Sequence, residues 1–294
     1  MIREKKFYRS FFSMVVVLIL QNVVTISVNL ADNIMLGAYS EPALAGVAAV
    51  NQIQFVYLRL LVGIWEGVLI LGSQYFGKGQ KDPLKKISSM AMHFALFVAV
   101  GLFVAVCLWP GMLVSAFTPD PEIIGQGVSY LAVIRYTYLF FAVTQILLAT
   151  LRSTGTVRIA LGLSVWSLVV NCCINYTLIY GHFGAPRLGV TGAAIGTLVA
   201  RVSELLLLLF YIVKKERHLH LRLTDYLHTD GTLRRDYFKV LWPVLMGSIL
   251  WGLNNAAQNA ILGHMSTTAI AANSVPNTMF LLVKSMAVGA SSTA

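Results

Sequence analysis

Residues 11–36 read FFSMVVVLILQNVVTISVNLADNIML. A bilayer has a hydrocarbon core about 30 Å thick, and a helix needs about 20 mostly apolar residues to cross it. Phe11–Leu36 is long and apolar enough to do so. It also carries polar groups. Asn22, Thr25, Asn29 and Asp32 follow a 3-4-3 spacing, which places them on one helical face. A polar stripe inside a span faces protein or a wet cavity rather than lipid. This stretch therefore predicts a membrane helix with an acid turned towards the inside of a bundle.

The rest of the chain repeats the pattern. Further apolar runs lie at Val47–Phe76, Ser88–Phe117, Ile123–Leu151, Val157–Tyr180, Leu188–Val213 and Tyr237–Met265, and another begins at Thr268. Hydrophobic residues make up 57% of the 294 residues, charged residues only 12%, and the mean hydropathy is +0.74. Soluble domains carry about 25% charged residues, so a soluble enzyme, a disordered chain and a small disulfide scaffold are excluded. The net charge of +10 would suggest nucleic acid as the partner of a soluble protein. Here the cations alternate by loop. Arg3, Lys5, Lys6 and Arg9 precede the first span. Lys78, Lys81, Lys85 and Lys86 follow the second, Arg152 and Arg158 flank the fourth loop, and Lys214 to Lys239 supply the sixth. The other loops hold Glu41, Asp120, Glu122 and a single cation, Arg187. By the positive-inside rule the N-terminus is cytoplasmic, the chain is multi-pass in the cell (plasma or inner) membrane, and its contact is the lipid bilayer, not nucleic acid. Cys107, Cys172 and Cys173 form no paired-ligand spacing, so neither a disulfide framework nor a zinc site is expected.

A shift of 226 residues lays the first hairpin on the last. Asn29, Ala31 and Asn33 meet Asn255, Ala257 and Asn259; Leu36-Gly37 meets Leu262-Gly263; Asn51 meets Asn277; Val62-Gly63 meets Val288-Gly289. Asn and Gly matches in register are harder to reach by chance than Leu or Val matches. Six spans separate the copies, so both begin on the same side of the membrane and the repeat is parallel. The plan predicts an all-α membrane protein, a polytopic helical bundle with two parallel six-helix lobes. Residues 1–215 form the first lobe, 216–236 a cytoplasmic linker, and 237–294 the first two helices of a second lobe that is incomplete here.

Ionisable groups inside spans cost at least about 2.5 kcal/mol on insertion scales. Candidates are Asp32, Arg59, Glu66, Arg135, Arg201, Glu204 and Lys284. The repeat partner of Asp32 is Gln258. The duplicated fold therefore does not demand an acid there, and function explains it better than packing does. Ser164, Ser167, Asn171 and Asn175 share one face of the fifth span. On the sixth, Gly192 and Gly196 permit close helix approach, followed by Thr197, Arg201 and Glu204. Arg201 and Glu204, three apart, are expected to neutralise each other; Arg59 and Glu66 are candidates for pairing with other helices.

Three segments then resemble the multidrug and toxic compound extrusion (MATE) family of cation-coupled antiporters. They are Ala31-Asp32-Asn33-Ile34-Met35-Leu36-Gly37, then Leu151-Arg152-Ser153-Thr154-Gly155, and the region from Asn171 through Tyr180-Gly181-His182-Phe183-Gly184-Ala185-Pro186 to Ala194. The resemblance implies two six-helix bundles facing each other across a cleft. It also implies a cation site in the first bundle built from Asp32, Asn171, Asn175 and Thr197, with H⁺ or Na⁺ as coupling ion and no other metal or cofactor. Asn175 stands where some members have Asp, so local negative charge is lower. Trp251 stands at about the position where some members use an acid on the seventh helix. The implied activity is export of cationic amphipathic small molecules by a monomeric antiporter that is not an enzyme. The alternatives are a lipid-linked oligosaccharide flippase of the same superfamily and an intramembrane lipid-modifying enzyme. The latter would need an acidic or His cluster at one membrane face, and the sequence shows none.

Overall fold

With no water in the hydrocarbon, backbone N–H and C=O groups must pair within the segment, which favours helices. The computed structural model describes residues 5–215, 219, 223–226 and 231–265, with side chains at 12–215, 219, 225–226, 233–252 and 254. Among them there are helices and turns but no strand. The run from Thr268, Lys284, the side chains of the repeat partners from Asn255 onward, and those of Arg3, Lys5, Lys6, Arg9, Arg217 and Arg222 lie outside the described residues.

The helices are α1 (Lys5–Tyr39), α2 (Glu41–Gly77), α3 (Lys81–Leu108), α4 (Pro110–Ser115), α5 (Pro121–Ile134), α6 (Thr137–Ser153), α7 (Arg158–Tyr180), α8 (Val190–Lys214) and α9 (Gly231–Met265). Of these, α1, α2, α3, α7 and α8 are each long and apolar enough to cross a membrane. Two predicted spans are broken. The run Ser88–Phe117 divides at Trp109 because Pro110 has no N–H to continue the ladder, and α4 starts afresh on that proline. The run Ile123–Leu151 divides into α5 and α6, bent by 53°. There the ladder tightens to i−3 bonds, from Tyr136 N–H to Val133 O and from Tyr138 N–H to Arg135 O. Two hydroxyls occupy neighbouring carbonyls: Thr137 Oγ1 donates to Ile134 O at 2.6 Å, and Tyr57 Oη of α2 donates to Tyr138 O at 2.6 Å.

Caps account for two of the acidic loop residues. Ser40 caps α2 through Ala43 N–H, with Glu41 in the first turn, and Asp120 caps α5 by accepting from Glu122 N–H at 2.9 Å. α2 is the centre of the packing, touching α3, α5, α6 and α9, while α1 lies mainly on α7 and α7 on α8. The core lies where Leu61, Ile64 and Val68 of α2 join the fully buried Ala91, Ala95 and Ala99 of α3 and the buried Ile146 and Leu148 of α6. Alanine every fourth residue on α3 lets its neighbours pack close. On α1 the apolar residues Val16, Leu20, Val23, Leu30 and Ile34 point away from the bundle, on the side opposite the polar stripe.

Part of the segment after α8 is pinned to the start of α3. Lys85 pairs with Asp225 at 3.0 Å, and Tyr226 Oη lies 3.1 Å from Ser88 Oγ, which itself lies 2.6 Å from Thr150 Oγ1. Burial pushes the Tyr226 hydroxyl up to about 12, so near neutral pH it keeps its proton and can donate.

Candidate cation-binding site

Three helices meet at Asp32. It sits late on α1, opposite the later turns of α7, and α8 runs back alongside α7 after a turn through Gly181 and Gly189. α8 can come this close because Gly192 and Gly196 carry no side chain. A Cβ on Gly192 would lie 2.8 Å from the Leu178 backbone, and one on Gly196 would collide with Asn175 Oδ1. The space is used by an amide chain. Asn175 Nδ2 donates to Asp32 Oδ1 at 2.5 Å and to Asn171 Oδ1 at 3.2 Å. Asn171 Nδ2 donates in turn to Thr197 Oγ1 at 3.2 Å. Asn171 and Asn175 are fully buried. Asn175 Oδ1 is buried with no hydrogen-bond partner among the described residues, an unusual and costly state for a buried carbonyl.

Asp32 also borders a cavity of about 160 Å³. Thr25 and Asn29 of α1 share its wall with Asn51, Gln54 and Tyr57 of α2, Tyr130 of α5, Tyr138 and Phe141 of α6, and Thr197 and Arg201 of α8. Asn22 is not part of this wall, although it shares a helical face with Asp32. Ten residues along a helix separate them by about 15 Å. Beside Asn22, Gln21 Oε1 instead accepts from Arg152 Nη2 at 2.9 Å.

The charged candidates separate. Arg201 Nη1 reaches Glu204 Oε2 at 2.8 Å, and Glu204 is buried. Arg201 nevertheless also faces the cavity. Arg59 lies elsewhere, at the contact of α2 with α9. Its guanidinium carbon is 4.6 Å from the Phe55 ring centre and 4.0 Å from that of Trp251, a cation–π arrangement. Glu66 is the carboxylate whose field reaches it. Arg135 sits at the α5–α6 break, 3.5 Å from Cys107 Sγ.

Asn51, Gln54, Tyr57, Tyr130, Tyr138 and Phe141 were not among the candidates from sequence. Asn51 and Gln54 stand three apart in an apolar run, which was a usable signal. The tyrosines and Phe141 resemble any core or interface aromatics and give none. Among the described residues no group of three His, Cys, Asp or Glu side chains converges.

The MatE family model matches residues 18–177. The probable multidrug resistance protein NorM of Thermotoga maritima is 27% identical over 197 residues, covering 67% of this chain and 42% of that protein. The probable multidrug resistance protein YoeA of Bacillus subtilis is 26% identical over 288 residues, 96% of this chain and 61% of that protein. The multidrug resistance protein NorM of Vibrio cholerae is 23% identical over 274 residues, 93% and 60%. The chain thus spans between 42% and 61% of the length of these relatives. Among solved structures, a MATE in the bent conformation superposes with a TM-score of 0.86 at 17% identity, over 98% of this chain and 63% of that one. An outward-facing multidrug resistance MATE family transporter of the MOP superfamily gives 0.83 at 18% identity, over 97% and 63%. These two show a common fold. With more than half of its residues matched by the family model, the chain belongs to the MatE family.

Proposed function

We propose that this chain forms part of a membrane antiporter, monomeric in the cell membrane, that exports cationic amphipathic small molecules in exchange for H⁺ or Na⁺. The observation that carries this reading is Asp32. Its carboxyl group borders a cavity inside the bundle and is held there by a neutral amide from Asn175. A carboxylate out of water is costly unless it is protonated or paired with a cation. H⁺, Na⁺ and a cationic drug can therefore compete for one place. The rings of Tyr57, Tyr130, Tyr138 and Phe141 suit the apolar body of such a drug, and their faces suit its charge.

Exchange needs two conformations that bind the ion unequally, because an ion with equal affinity for both shifts nothing. Filling Asp32 changes the charge between α1, α7 and α8, and the alternating packing of the lobes follows that charge. A lipid-linked oligosaccharide flippase would want a more basic cavity, and the described lining holds one cation, Arg201, and one carboxylate, Asp32.

The test is Asp32→Asn, assayed in vesicles for efflux of a fluorescent cation under imposed pH and Na⁺ gradients. Ion-driven efflux should be abolished while membrane insertion is retained. Undiminished efflux in that variant would remove Asp32 from the mechanism.

A further inference from the structure

Within the proposed site a cation already stands near the acid. Arg201 of α8 lies one helical turn beyond Thr197, where the amide chain from Asp32 ends, and the two charged residues border the same cavity. Two groups restrain Arg201. Nη1 is 2.8 Å from Glu204 Oε2, and the guanidinium carbon lies 5.0 Å from the Phe141 ring centre. The Glu204 side chain is 4% exposed and that of Arg201 26%, so the pair is closed at the glutamate and open at the arginine. A guanidinium has five N–H donors, and the Glu204 bond takes one. Its charge is within electrostatic reach of two carboxylates, of which it touches one.

We propose that Arg201 is a positioning residue, a tethered counter-cation that competes with the coupling ion for Asp32 and is held back by Glu204. This rests on the cation site proposed at Asp32. With an ion on Asp32, Arg201 stays on Glu204. When the ion leaves, the bare carboxylate draws the remaining N–H groups of Arg201 towards it while Nη1 keeps its bond to Glu204, a movement of one long side chain with no helix moving. Neither Asp32 nor the buried Glu204 is then left without a cationic partner. The other titratable groups around Asp32 are Tyr57 of α2, Tyr130 of α5, Tyr138 of α6 and Cys172 of α7. None of them supplies a positive charge, so among the described lining residues Arg201 is the competitor.

The two halves of this ion pair should then act with opposite sign. Arg201→Gln removes the competitor and tightens cation binding at Asp32. Glu204→Gln releases the competitor and weakens it. A pair that only braces α8 would move binding the same way from either side. The test uses the intact protein in nanodiscs, treated with dicyclohexylcarbodiimide, which modifies protonated carboxyls. Labelling of Asp32 is read by mass spectrometry against Na⁺ at fixed pH, and against pH with choline replacing Na⁺. In Arg201→Gln the half-protecting Na⁺ concentration should fall by roughly tenfold, or the half-labelling pH rise by about one unit. In Glu204→Gln each should move the other way, and the double variant should follow Arg201→Gln. Arg201→Met, which keeps an apolar stem over Phe141, repeats the test if the Gln variant does not hold its fold. Shifts of the same sign, or none while wild-type Asp32 is labelled and protected, overturn the proposal. A wild-type Asp32 that answers to neither ion overturns the cation site itself, and this proposal with it.

Discussion

Gly196 is the smallest residue at the proposed site, yet it fixes the site's geometry. The Asn175 amide is held between Asp32 and Asn171, so it cannot turn aside for a methyl group placed on Gly196. In Gly196→Ala either α8 retreats or the bond to Asp32 breaks. Overpacking of this kind costs about 1–3 kcal/mol, and misplacing a functional group by about 1 Å can cost as much as a hundredfold in rate. The variant should insert normally, melt lower and lose at least about tenfold in ion-driven efflux; melting in nanodiscs together with a vesicle assay checks both. Wild-type efflux would show that the amide chain is dispensable. Asp32 was legible in the sequence because an acid stands out in an apolar run and helical spacing puts it on a polar face; Asn171, Asn175 and Thr197 stood out as polar residues, but only the family resemblance implied that they join Asp32. Arg201 was half legible. Glu204, three residues on, was enough to explain its charge, and that pairing is present, but nothing in the spacing said that the guanidinium also borders the cavity of Asp32.

At the scale of helices, α2 and α9 meet along a glycine-lined track. A Cβ on Gly63 would lie 2.9 Å from Leu245 Cδ1 and 3.1 Å from Leu245 Cα, and one on Gly67 would lie 3.0 Å from the Tyr237 ring. Tyr237 Oη then donates to Ile64 O at 2.9 Å. Sequence reading singled out the Gly192–Gly196 spacing and passed over the same four-residue spacing at Gly63 and Gly67. Both are close-approach sites, and only the partner helix reveals which glycines are used. Tyr237→Phe should cost about 1 kcal/mol, the net worth of one hydrogen bond. Gly63→Leu should cost more, because the atoms in the way include the α9 backbone, which cannot rotate aside. Thermal melting of the two variants orders them. A smaller loss in Gly63→Leu would mean that α9 gives way cheaply here. Hydropathy located α1, α2, α3, α7, α8 and the bent α5–α6 pair as spans, and Pro110 marked one break in plain view. The α5–α6 break was hidden because no proline or glycine stands there; the Thr137 hydroxyl takes Ile134 O, the carbonyl that the Tyr138 N–H would use in a continuous helix, and a threonine in an apolar run does not announce that.

At the scale of the molecule, the charge pattern becomes a statement about its two ends. The contacts of Lys85 with Asp225 and of Ser88 with Tyr226 put the loop before α3 and the segment after α8 at one end of the bundle. That end holds Lys78, Lys81, Lys86, Lys214 and Lys215. At the opposite end, Gly46, one turn into α2, packs against Gly127 of α5 and Gly127 against Val114 of α4. That gathers Glu41, Asp120 and Glu122 near one another. The helices thus run between a cationic end and an end bearing carboxylates. Cations are held on the cytoplasmic side during insertion, whereas acids contribute little to orientation, so the cationic end should face inward. The orientation matters for the proposed exchange, because it decides from which side a coupling ion reaches Asp32. With Cys107, Cys172 and Cys173 replaced, single cysteines at Lys78 and Glu122 test it. A membrane-impermeant maleimide should label Glu122→Cys in intact cells and Lys78→Cys only after permeabilisation. The reverse pattern would turn the bundle over. Asp32 lies late on α1, two turns before Tyr39, so in the expected orientation it sits nearer the outer surface. An ion entering from outside then has the shorter path to it, which is the direction that inward-driven exchange requires.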